Sequence, residues 1–229
     1  MNDTIKTTYI TFTLEMARAY ADGLKRMTRR VIKPQPDVDS RRHAWAMSCK
    51  GGVLSWGRSV GRHDPYNYFV EKKIKCPYGK PGDQLRLGTT WATLEKYDNR
   101  KPSDLPIEEM QPSTPGSVIR WDPIPIWSYF NSDEKPDGFG KLRPGRFLPG
   151  FLRDRMPCVT INDIRVERVQ EISPLNAQLE GDIERSGHPA FYIHGDQCHV
   201  MWFRDLWDRI NRKRGFSWDS NPWVWVVEW

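Results

Sequence analysis

Eight consecutive residues, Gly23 to Arg30, hold the side chains with which this chain could do nucleophilic and acid–base chemistry. The stretch contains one lysine, one threonine and three arginines. Lys25 and Thr28 are three residues apart, so they share one face if a helical turn continues through them. A desolvated lysine crowded by arginines has a lowered pKa and can accept the proton of a threonine hydroxyl. Two other roles fit the same residues: a site for an anion or nucleic acid, and a set of cations that satisfies the dipole at a helix C-terminus.

The segments before this stretch predict the elements that would position it. Thr7 to Thr13 alternates and is rich in β-branched and aromatic residues, which favours a strand. Thr13 can then cap a helix, and Gly23 gives the backbone freedom that a helix end needs. The apolar residues between them recur at helical spacing: Met16, Ala17, Tyr20, Ala21 and Leu24. The candidate residues should therefore lie at a junction of strand, helix and loop.

A glutamate far along the chain is the second candidate for acid–base chemistry. Ser173 followed by Pro174 predicts the start of a helix. The apolar stripe of this helix would consist of Leu175, Leu179 and Ile183. Glu180 lies beside the stripe instead of opposite it, and a carboxylate in that position can face a cleft. The alternative is a solvated glutamate on the outside of the helix.

Three further stretches predict strands. Gln84 to Ala92 alternates in hydrophobicity after a Pro-Gly-Asp turn. Cys158 to Gln170 changes the phase of its apolar residues part-way, which favours a bulge near Asn162 and Asp163. Trp223 to Trp229 alternates tryptophan with valine, and we expect its tryptophans to pack in the core.

Residues 34–75 and 93–150 predict two irregular insertions. The first begins at Pro34-Gln35-Pro36 and should contain a hairpin at Gly51-Gly52. The second contains nine prolines, so we expect it to wrap the surface around its aromatic residues. These aromatics either pack the extension or form a wall on which nucleobases stack: Trp121, Trp127, Tyr129 and Phe130.

Charge favours a polyanionic partner such as single-stranded nucleic acid. The chain has a formal net charge of +6 and a pI near 9.2. Its cations cluster in Lys25 to Lys33 and in Arg204 to Arg214. The second cluster lies on a predicted amphipathic helix, Val200 to Arg214, that Gly215 ends. The apolar face of this helix would contain Phe203, Leu206, Trp207 and Ile210. A solvated basic surface would give the same totals.

The remaining composition limits the classes of protein. With 229 residues, 38% hydrophobic content and 11 tryptophans, the chain should fold as a single elaborated domain, residues 1–229. Its four cysteines are dispersed, and only His194, Cys198 and His199 form a local group, without a fourth ligand. We therefore expect no metal and no cofactor. Because no long apolar run is present, we expect a soluble cytoplasmic protein without membrane contact, and the oligomeric state stays open.

The spacing Gly-x-Lys-x-x-Thr-x-Arg, formed by Gly23, Lys25, Thr28 and Arg30, resembles the signature of the ASCH family of PUA-like β-barrels. Three other stretches resemble a longer, often phage-encoded group of that family, in the same order along most of the chain. They are Cys76 to Asp83, Thr90-Trp91-Ala92 and Asn221 to Trp229. Related chains often have an acidic residue where this chain has Thr89. The resemblance implies an α+β fold, a PUA-like mixed barrel with flanking helices and the two insertions.

The resemblance also implies several functions, because ASCH-like proteins include RNA binders, proteins with reported nuclease activity and a small amidohydrolase of acetylcytidine. In the amidohydrolase role, Lys25 would activate Thr28, and Glu180 would match the catalytic acid of that family. Gly23, Arg29, Arg30 and Trp91 would bind the substrate, a modified nucleoside. The alternatives are a non-catalytic RNA or DNA reader and a nuclease. A phage-encoded member would act in the host cytoplasm.

Overall fold

The computed structural model describes residues 4–36, 45–59, 68–111, 120–128, 134–182 and 195–229. It contains helices and several small sheets, which confirms the predicted α+β class. The helices are α1 (Leu14–Ala21), α2 (Gly150–Arg153), α3 (Pro174–Leu179) and α4 (Gln197–Asn211).

Short strands form small sheets throughout the described chain. The strands are β1 (Thr7–Thr11), β2 (Met27–Val31), β3 (Trp45–Lys50), β4 (Val53–Ser59), β5 (Tyr68–Lys75), β6 (Gln84–Gly88), β7 (Trp91–Ala92), β8 (Glu108–Gln111), β9 (Arg120–Pro123), β10 (Trp127–Ser128), β11 (Cys158–Thr160), β12 (Asp163–Arg168) and β13 (Trp223–Glu228). The sheet orders are β1-β6-β11, β12-β13-β2, β3-β4-β5, β10-β7 and β8-β9. Within the described ranges, none of these sheets closes into a barrel.

The chain divides into two compact units. The first unit contains Met1–Thr8, Asp22–Leu85 and Val159–Trp229, and the second contains Tyr9–Ala21 and Arg86–Cys158. Lys25, Thr28 and Glu180 all belong to the first unit, whereas Trp91 belongs to the second.

Strand β13 is the centre of the main sheet of the first unit. It pairs antiparallel with β12 on one side and with β2 on the other, so that Val227 lies between Ile164 and Thr28. Four consecutive residues, Val224 to Val227, are buried. A central strand that is covered on both faces favours such an unbroken apolar run, and the predicted strand with core tryptophans is confirmed at Trp225.

The predicted hairpin at Gly51-Gly52 is also confirmed. Strands β3 and β4 pair antiparallel from Trp45 with Arg58 to Lys50 with Val53. Both glycines have positive φ angles, 54° and 73°, which suit a tight turn between strands. Strand β5 extends the hairpin to a three-stranded sheet, so part of the first predicted insertion is regular structure.

The stretch from Cys158 to Gln170 is two strands in different sheets and not one bulged strand. The N–H of Ile161 donates to Asp83 O at 2.8 Å, and that of Asn162 donates to Glu228 O at 2.8 Å. The partner of the backbone therefore changes between these two residues. The apolar residues change phase because the chain passes from one sheet to another, and not because of the predicted bulge.

Helix α3 begins as predicted but packs through a different face. Ser173 is its N-cap, because its Oγ accepts the Asn176 N–H at 3.2 Å. Leu175 is 64% exposed and Ala177 is buried, so the predicted Leu175 stripe is wrong. Ile183 lies outside the described residues. The helix ends at Leu179, which makes Glu180 the C-cap and not a residue of the helix.

Helix α4 confirms the second long amphipathic prediction. It begins at Gln197, a few residues before the predicted start, and buries Phe203, Leu206 and Trp207. A short 3-10 turn, Arg212–Arg214, follows it. Gly215 then adopts φ 84°, the left-handed conformation that commonly ends a helix.

In the second unit, helix α1 is capped as predicted but is shorter. The N–H of Met16 donates to Thr13 Oγ1 at 3.4 Å, and the helix ends at Ala21. Leu24 is 38% exposed, so its predicted place on the apolar face is wrong. The Gly23 to Arg30 stretch is thus not a continuation of this helix.

The Pro-rich segment builds the core of the second unit instead of only covering a surface. The buried cluster consists of Trp91, Tyr97, Leu105, Ile124, Leu148, Leu152 and Met156. Trp127 is also buried. Tyr129, Phe130 and the side chain of Trp121 lie outside the described residues, so the stacking wall stays a prediction.

The cap of α3 gives a stability test. Ser173→Ala removes the acceptor of the Asn176 N–H, so we expect the free energy of unfolding to fall by about 1 kcal/mol in urea titrations. Ser173→Asp keeps an acceptor at the cap and should retain most of the stability. An equal loss in both variants would show that the cap contributes nothing.

Candidate functional site: a buried lysine–glutamate pair

Lys25 and Glu180, which are 155 positions apart in sequence, meet in the interior of the first unit. Lys25 is 2% exposed and Glu180 is 3% exposed. The ammonium of Lys25 donates to Glu180 Oε2 at 2.8 Å and to the backbone O of the same residue at 2.8 Å. Two of the three residues proposed for catalysis are therefore in direct contact.

Backbone hydrogen bonds hold the segments that carry Lys25 and Glu180 next to each other. The N–H of Arg26 donates to Leu179 O at 2.9 Å, and Arg26 O accepts the N–H of Trp229 at 3.0 Å. The segment before β2 is thus tied to the end of α3 and to the end of the chain. At that helix end, Lys25 satisfies a carbonyl that has no partner within the helix. The cation at a helix C-terminus that the sequence suggested is present, but the helix is α3 and not α1.

Arg29 gives the Glu180 carboxylate a second buried cation. Its Nη1 donates to Glu180 Oε1 at 3.2 Å and its Nη2 donates to Glu167 Oε2 at 2.9 Å. Its guanidinium carbon lies 5.8 Å from the centre of the Phe203 ring. Glu167 also accepts from Arg165 Nε at 2.6 Å, so the charges continue along the sheet. Arg29 therefore bridges the carboxylates of Glu180 and Glu167.

Thr28 and Arg30 lie on strand β2 and not on a helical turn, so the expected shared helical face of Lys25 and Thr28 is wrong. In the sheet register, Thr28 pairs with Val227, Arg29 with Val226 and Arg30 with Trp225. Because successive residues of a strand point to opposite faces, Thr28 and Arg30 leave the strand on the face opposite Arg29. Thr28 is 4% exposed.

Arg30 lies in the electrostatic field of the same glutamate. Burial lowers its pKa, while the nearby Tyr78 and Glu180 raise it and Arg214 lowers it further. Burial also raises the pKa of Tyr78. Tyr78 belongs to the Cys76 to Asp83 stretch, and sequence reasoning gave it no role. Its place in the Cys76 to Asp83 motif is the sequence signal that could have identified Tyr78 as a residue of the site.

Burial lowers the pKa of Lys25, Glu180 works against this shift, and the two arginines add to it. Removing a lysine from water disfavours its charged form, whereas a bonded carboxylate favours it. Loss of the Lys25 proton would leave an amine, which can act as a base, next to the carboxyl group of Glu180.

A second buried acid–base pair was missed by sequence reasoning. His199 Nδ1 lies 2.9 Å from Asp182 Oδ2, and both side chains are buried. Asp182 is two residues after Glu180, so the turn after α3 supplies both carboxylates. Within the described residues, no three His, Cys, Asp or Glu side chains form a group that could hold a metal ion. His194, part of the local group considered from the sequence, lies outside those residues.

The other two residues expected to bind substrate have different surroundings. Gly23 is exposed, with φ 73°, and its carbonyl accepts Arg26 Nε at 3.5 Å. Trp91 is fully buried in the core of the second unit, with the Arg143 guanidinium 5.5 Å from its ring centre. A ring without exposed surface cannot stack on a ligand, so Trp91 has a packing role in this structure.

The two predicted basic clusters lie together in the first unit. Lys33 Nζ is 5.2 Å from the centre of the Phe216 ring, which follows the turn after α4. Arg214 acts electrostatically on Arg30, as noted above. The exposed cations of this surface include Lys33, Arg209, Lys213 and Arg214. Part of the positive charge is balanced, since Arg204 pairs with Asp205 and Arg212 with Asp208.

Comparison with protein-family models, curated proteins and solved structures found no match for this chain. The ASCH-like motif order is accordingly a resemblance in sequence alone. In the described part of the chain, no helix is both long enough and apolar enough to cross a bilayer.

The geometry predicts an unequal effect of removing either partner of the buried pair. Glu180→Gln leaves Lys25 and Arg29 buried without their shared carboxylate, so we expect a loss of about 3–5 kcal/mol in the free energy of unfolding. Lys25→Met leaves Glu180 paired with Arg29 and should cost less. Urea unfolding at neutral pH measures both.

Arg204→Ala is the control, because this exposed pair should contribute less than about 1 kcal/mol. If Lys25→Met costs as much as Glu180→Gln, Arg29 does not support the carboxylate and the description of a three-residue centre is wrong.

Proposed function

We propose that this protein is an amidohydrolase that removes an acyl group from the amino group of a modified nucleobase or nucleoside. The observation that carries the proposal is the buried Lys25–Glu180 pair, in which Lys25 Nζ lies 2.8 Å from Glu180 Oε2. Hydrolysis of an amide needs both a base for the nucleophile and an acid for the departing amine. The pair can supply both at neutral overall charge.

In the first half of the reaction, the neutral amine of Lys25 takes the hydroxyl proton of Thr28 through a water, since Thr28 leaves β2 on the face opposite Arg29, which holds the Glu180 carboxylate. The Thr28 Oγ1 then bonds to the acyl carbon, and the carbonyl oxygen becomes an oxyanion. Arg30 would stabilise this oxygen, because a guanidinium donates fixed hydrogen bonds to an anion. When the C–N bond breaks, the carboxylic acid of Glu180 gives its proton to the leaving amine, and an ester of Thr28 is left.

In the second half, water attacks the ester carbon and gives a proton to the Glu180 carboxylate. The bond from the acyl carbon to Oγ1 breaks, and the Lys25 ammonium returns its proton to the threonine. The products are the free amine and a carboxylic acid, and both protein groups regain their starting protonation. Arg29 takes no part in the proton transfers; its role is to hold the Glu180 carboxylate in place.

We also propose that the fold is a PUA-like barrel of the ASCH type. Support comes from the order of the four sequence motifs and from the β12-β13-β2 sheet, which places β13 beside β2, the strand that contains Thr28 and Arg30. This chain has Thr89 where related chains often have an acidic residue. The difference affects any role of that position, but it does not affect the Lys25–Glu180 pair.

The test turns on Thr28. Thr28→Val keeps nearly the same shape but removes the attacking oxygen, so hydrolysis of acetylcytidine to cytidine should collapse while the fold survives. Lys25→Ala should lose activity as well, because an unactivated threonine hydroxyl is a poor nucleophile at neutral pH. Chromatographic release of cytidine measures activity, and a thermal melt checks the fold.

The pH profile distinguishes a base from a structural cation. Since burial lowers the pKa of Lys25 and the pair must keep one proton for the leaving amine, kcat/KM should rise with pH as the amine forms and fall again when the pair loses its last proton. Thr28→Ser should keep the same profile at a reduced rate. A wild-type protein that hydrolyses no member of a panel of acylated nucleosides would refute the proposal.

A second candidate, a non-catalytic reader of single-stranded RNA or DNA, is favoured by the basic surface around Lys33, Phe216 and Arg214. Cations bound to phosphates release condensed counterions, so such binding weakens as salt rises. The nuclease alternative receives less support, because no group of three potential metal ligands is present among the described residues.

If the protein is a nucleic-acid reader, its affinity for oligonucleotides should fall as salt rises. The slope of log affinity against log salt concentration should decrease by about 1 for each phosphate contact removed, in Lys33→Ala or in Arg214→Ala. Arg204→Ala is the matched control, because its guanidinium is already paired with Asp205. Binding isotherms at two salt concentrations decide the matter. An absence of binding at low salt would exclude the nucleic-acid reader and leave the amidohydrolase as the proposed function.

A further inference from the structure

A surface of the second unit, distant in sequence from both basic clusters, exposes aromatic rings beside cations. Of the eight large hydrophobic side chains exposed in the described part of the chain, three lie within ten residues: Leu142, Phe147 and Phe151. They are 49%, 50% and 37% exposed. Isolated exposed apolar residues are ordinary, but this concentration in one short segment needs an explanation.

The charge of the same segment is strongly positive. Residues 141–155 contain five cations and a single carboxylate, that of Asp154. Lys141, Arg146 and Arg155 are exposed. Asp154 pairs with Arg86 at 3.3 Å. A second carboxylate, that of Asp98, accepts the backbone N–H of Lys141 at 2.8 Å.

Arg146 and Phe147 form a stacked pair. The guanidinium carbon of Arg146 lies 4.6 Å from the centre of the Phe147 ring. Half of the Phe147 side chain nevertheless stays exposed. An aromatic ring and a guanidinium plane are the two protein groups on which unpaired nucleobases stack.

The backbone that carries these side chains is held from the inside. The N–H of Phe147 donates to Pro144 O at 3.0 Å, and that of Leu152 donates to Pro149 O at 3.0 Å. Leu148 and Leu152 are buried, and the buried Arg143 donates to the carbonyls of Tyr97 and Arg100 at 2.8 and 3.0 Å. The outward rings thus sit on a fixed support, which lowers the entropy lost on binding.

We propose that this surface, formed by Leu142, Arg146, Phe147 and Phe151, binds single-stranded nucleic acid by stacking unpaired bases on Phe147 and Phe151 while Lys141, Arg146 and Arg155 contact phosphates. The rings favour bases over other polyanions, and the cations favour a polyphosphate chain over a neutral apolar partner. The proposal stands independently of the amidohydrolase activity, since it uses no residue of the Lys25–Glu180 pair.

The test is fluorescence anisotropy with labelled oligo(U) and oligo(dT) of about 15 nucleotides, long enough for one such site. Phe147→Leu keeps an apolar side chain but removes the ring, so affinity should fall about tenfold. Leu175→Ala is the control, because it shortens an exposed apolar side chain of the first unit that lies outside the proposed surface, and its affinity should stay at the wild-type value. Circular dichroism confirms that each variant is folded.

Three further outcomes decide the assignment. A duplex of the same length should bind more weakly, because its bases are already stacked; equal binding would reduce the site to charge alone and overturn the proposal. An oligonucleotide containing iodouracil should crosslink on irradiation to the peptide of residues 141–155, and crosslinks confined to residues 204–214 would overturn it. Binding to anionic phospholipid vesicles without binding to either oligonucleotide would assign the surface to a membrane instead.

Discussion

The carboxylate of Glu180 is the group on which the architecture of the first unit depends. It is 3% exposed, and each of its oxygens accepts a hydrogen bond from a buried cation, Lys25 or Arg29. An unpaired charge in that position would cost several kcal/mol, so the three side chains must be buried together or not at all. The contacts join β2, the end of α3 and, through Arg29 and Glu167, strand β12. A single buried charge therefore fixes the relative position of three elements.

Stability and chemistry make different demands on such a centre. A pair that served only to hold elements together would gain from a full charge on each partner, whereas burial lowers the pKa of Lys25 and so disfavours its charged form. Arg29 compensates by keeping a cation next to Glu180 when Lys25 is neutral. The two cations of the centre thus differ in kind, because a guanidinium is planar and donates two hydrogen bonds in a fixed geometry, whereas a lysine ammonium is a point charge.

Local patterns predicted the elements well where one physical signal was decisive. The cap at Ser173, the glycine turn at Gly51-Gly52 and the stop at Gly215 were predicted because capping, turn and left-handed conformations depend on the residue itself. Predictions that needed the partner of a segment were weaker. The strand predicted from Cys158 to Gln170 changes sheets, and Leu175 is exposed because α3 packs through Ala177.

For the candidate site, the sequence by itself supplied the candidates Lys25, Thr28, Arg30 and Glu180, although the helical stripe used to choose Glu180 is not the packed face of α3. Tertiary structure decided how they are arranged. It made Met27–Val31 a strand, which separates Thr28 and Arg30 from Arg29, and it placed Trp91 in a core. It also brought together Asp182 and His199, which no spacing rule connects. The physical reason is that helix and strand periods are local, whereas burial of a charge depends on a partner that can lie 155 residues away.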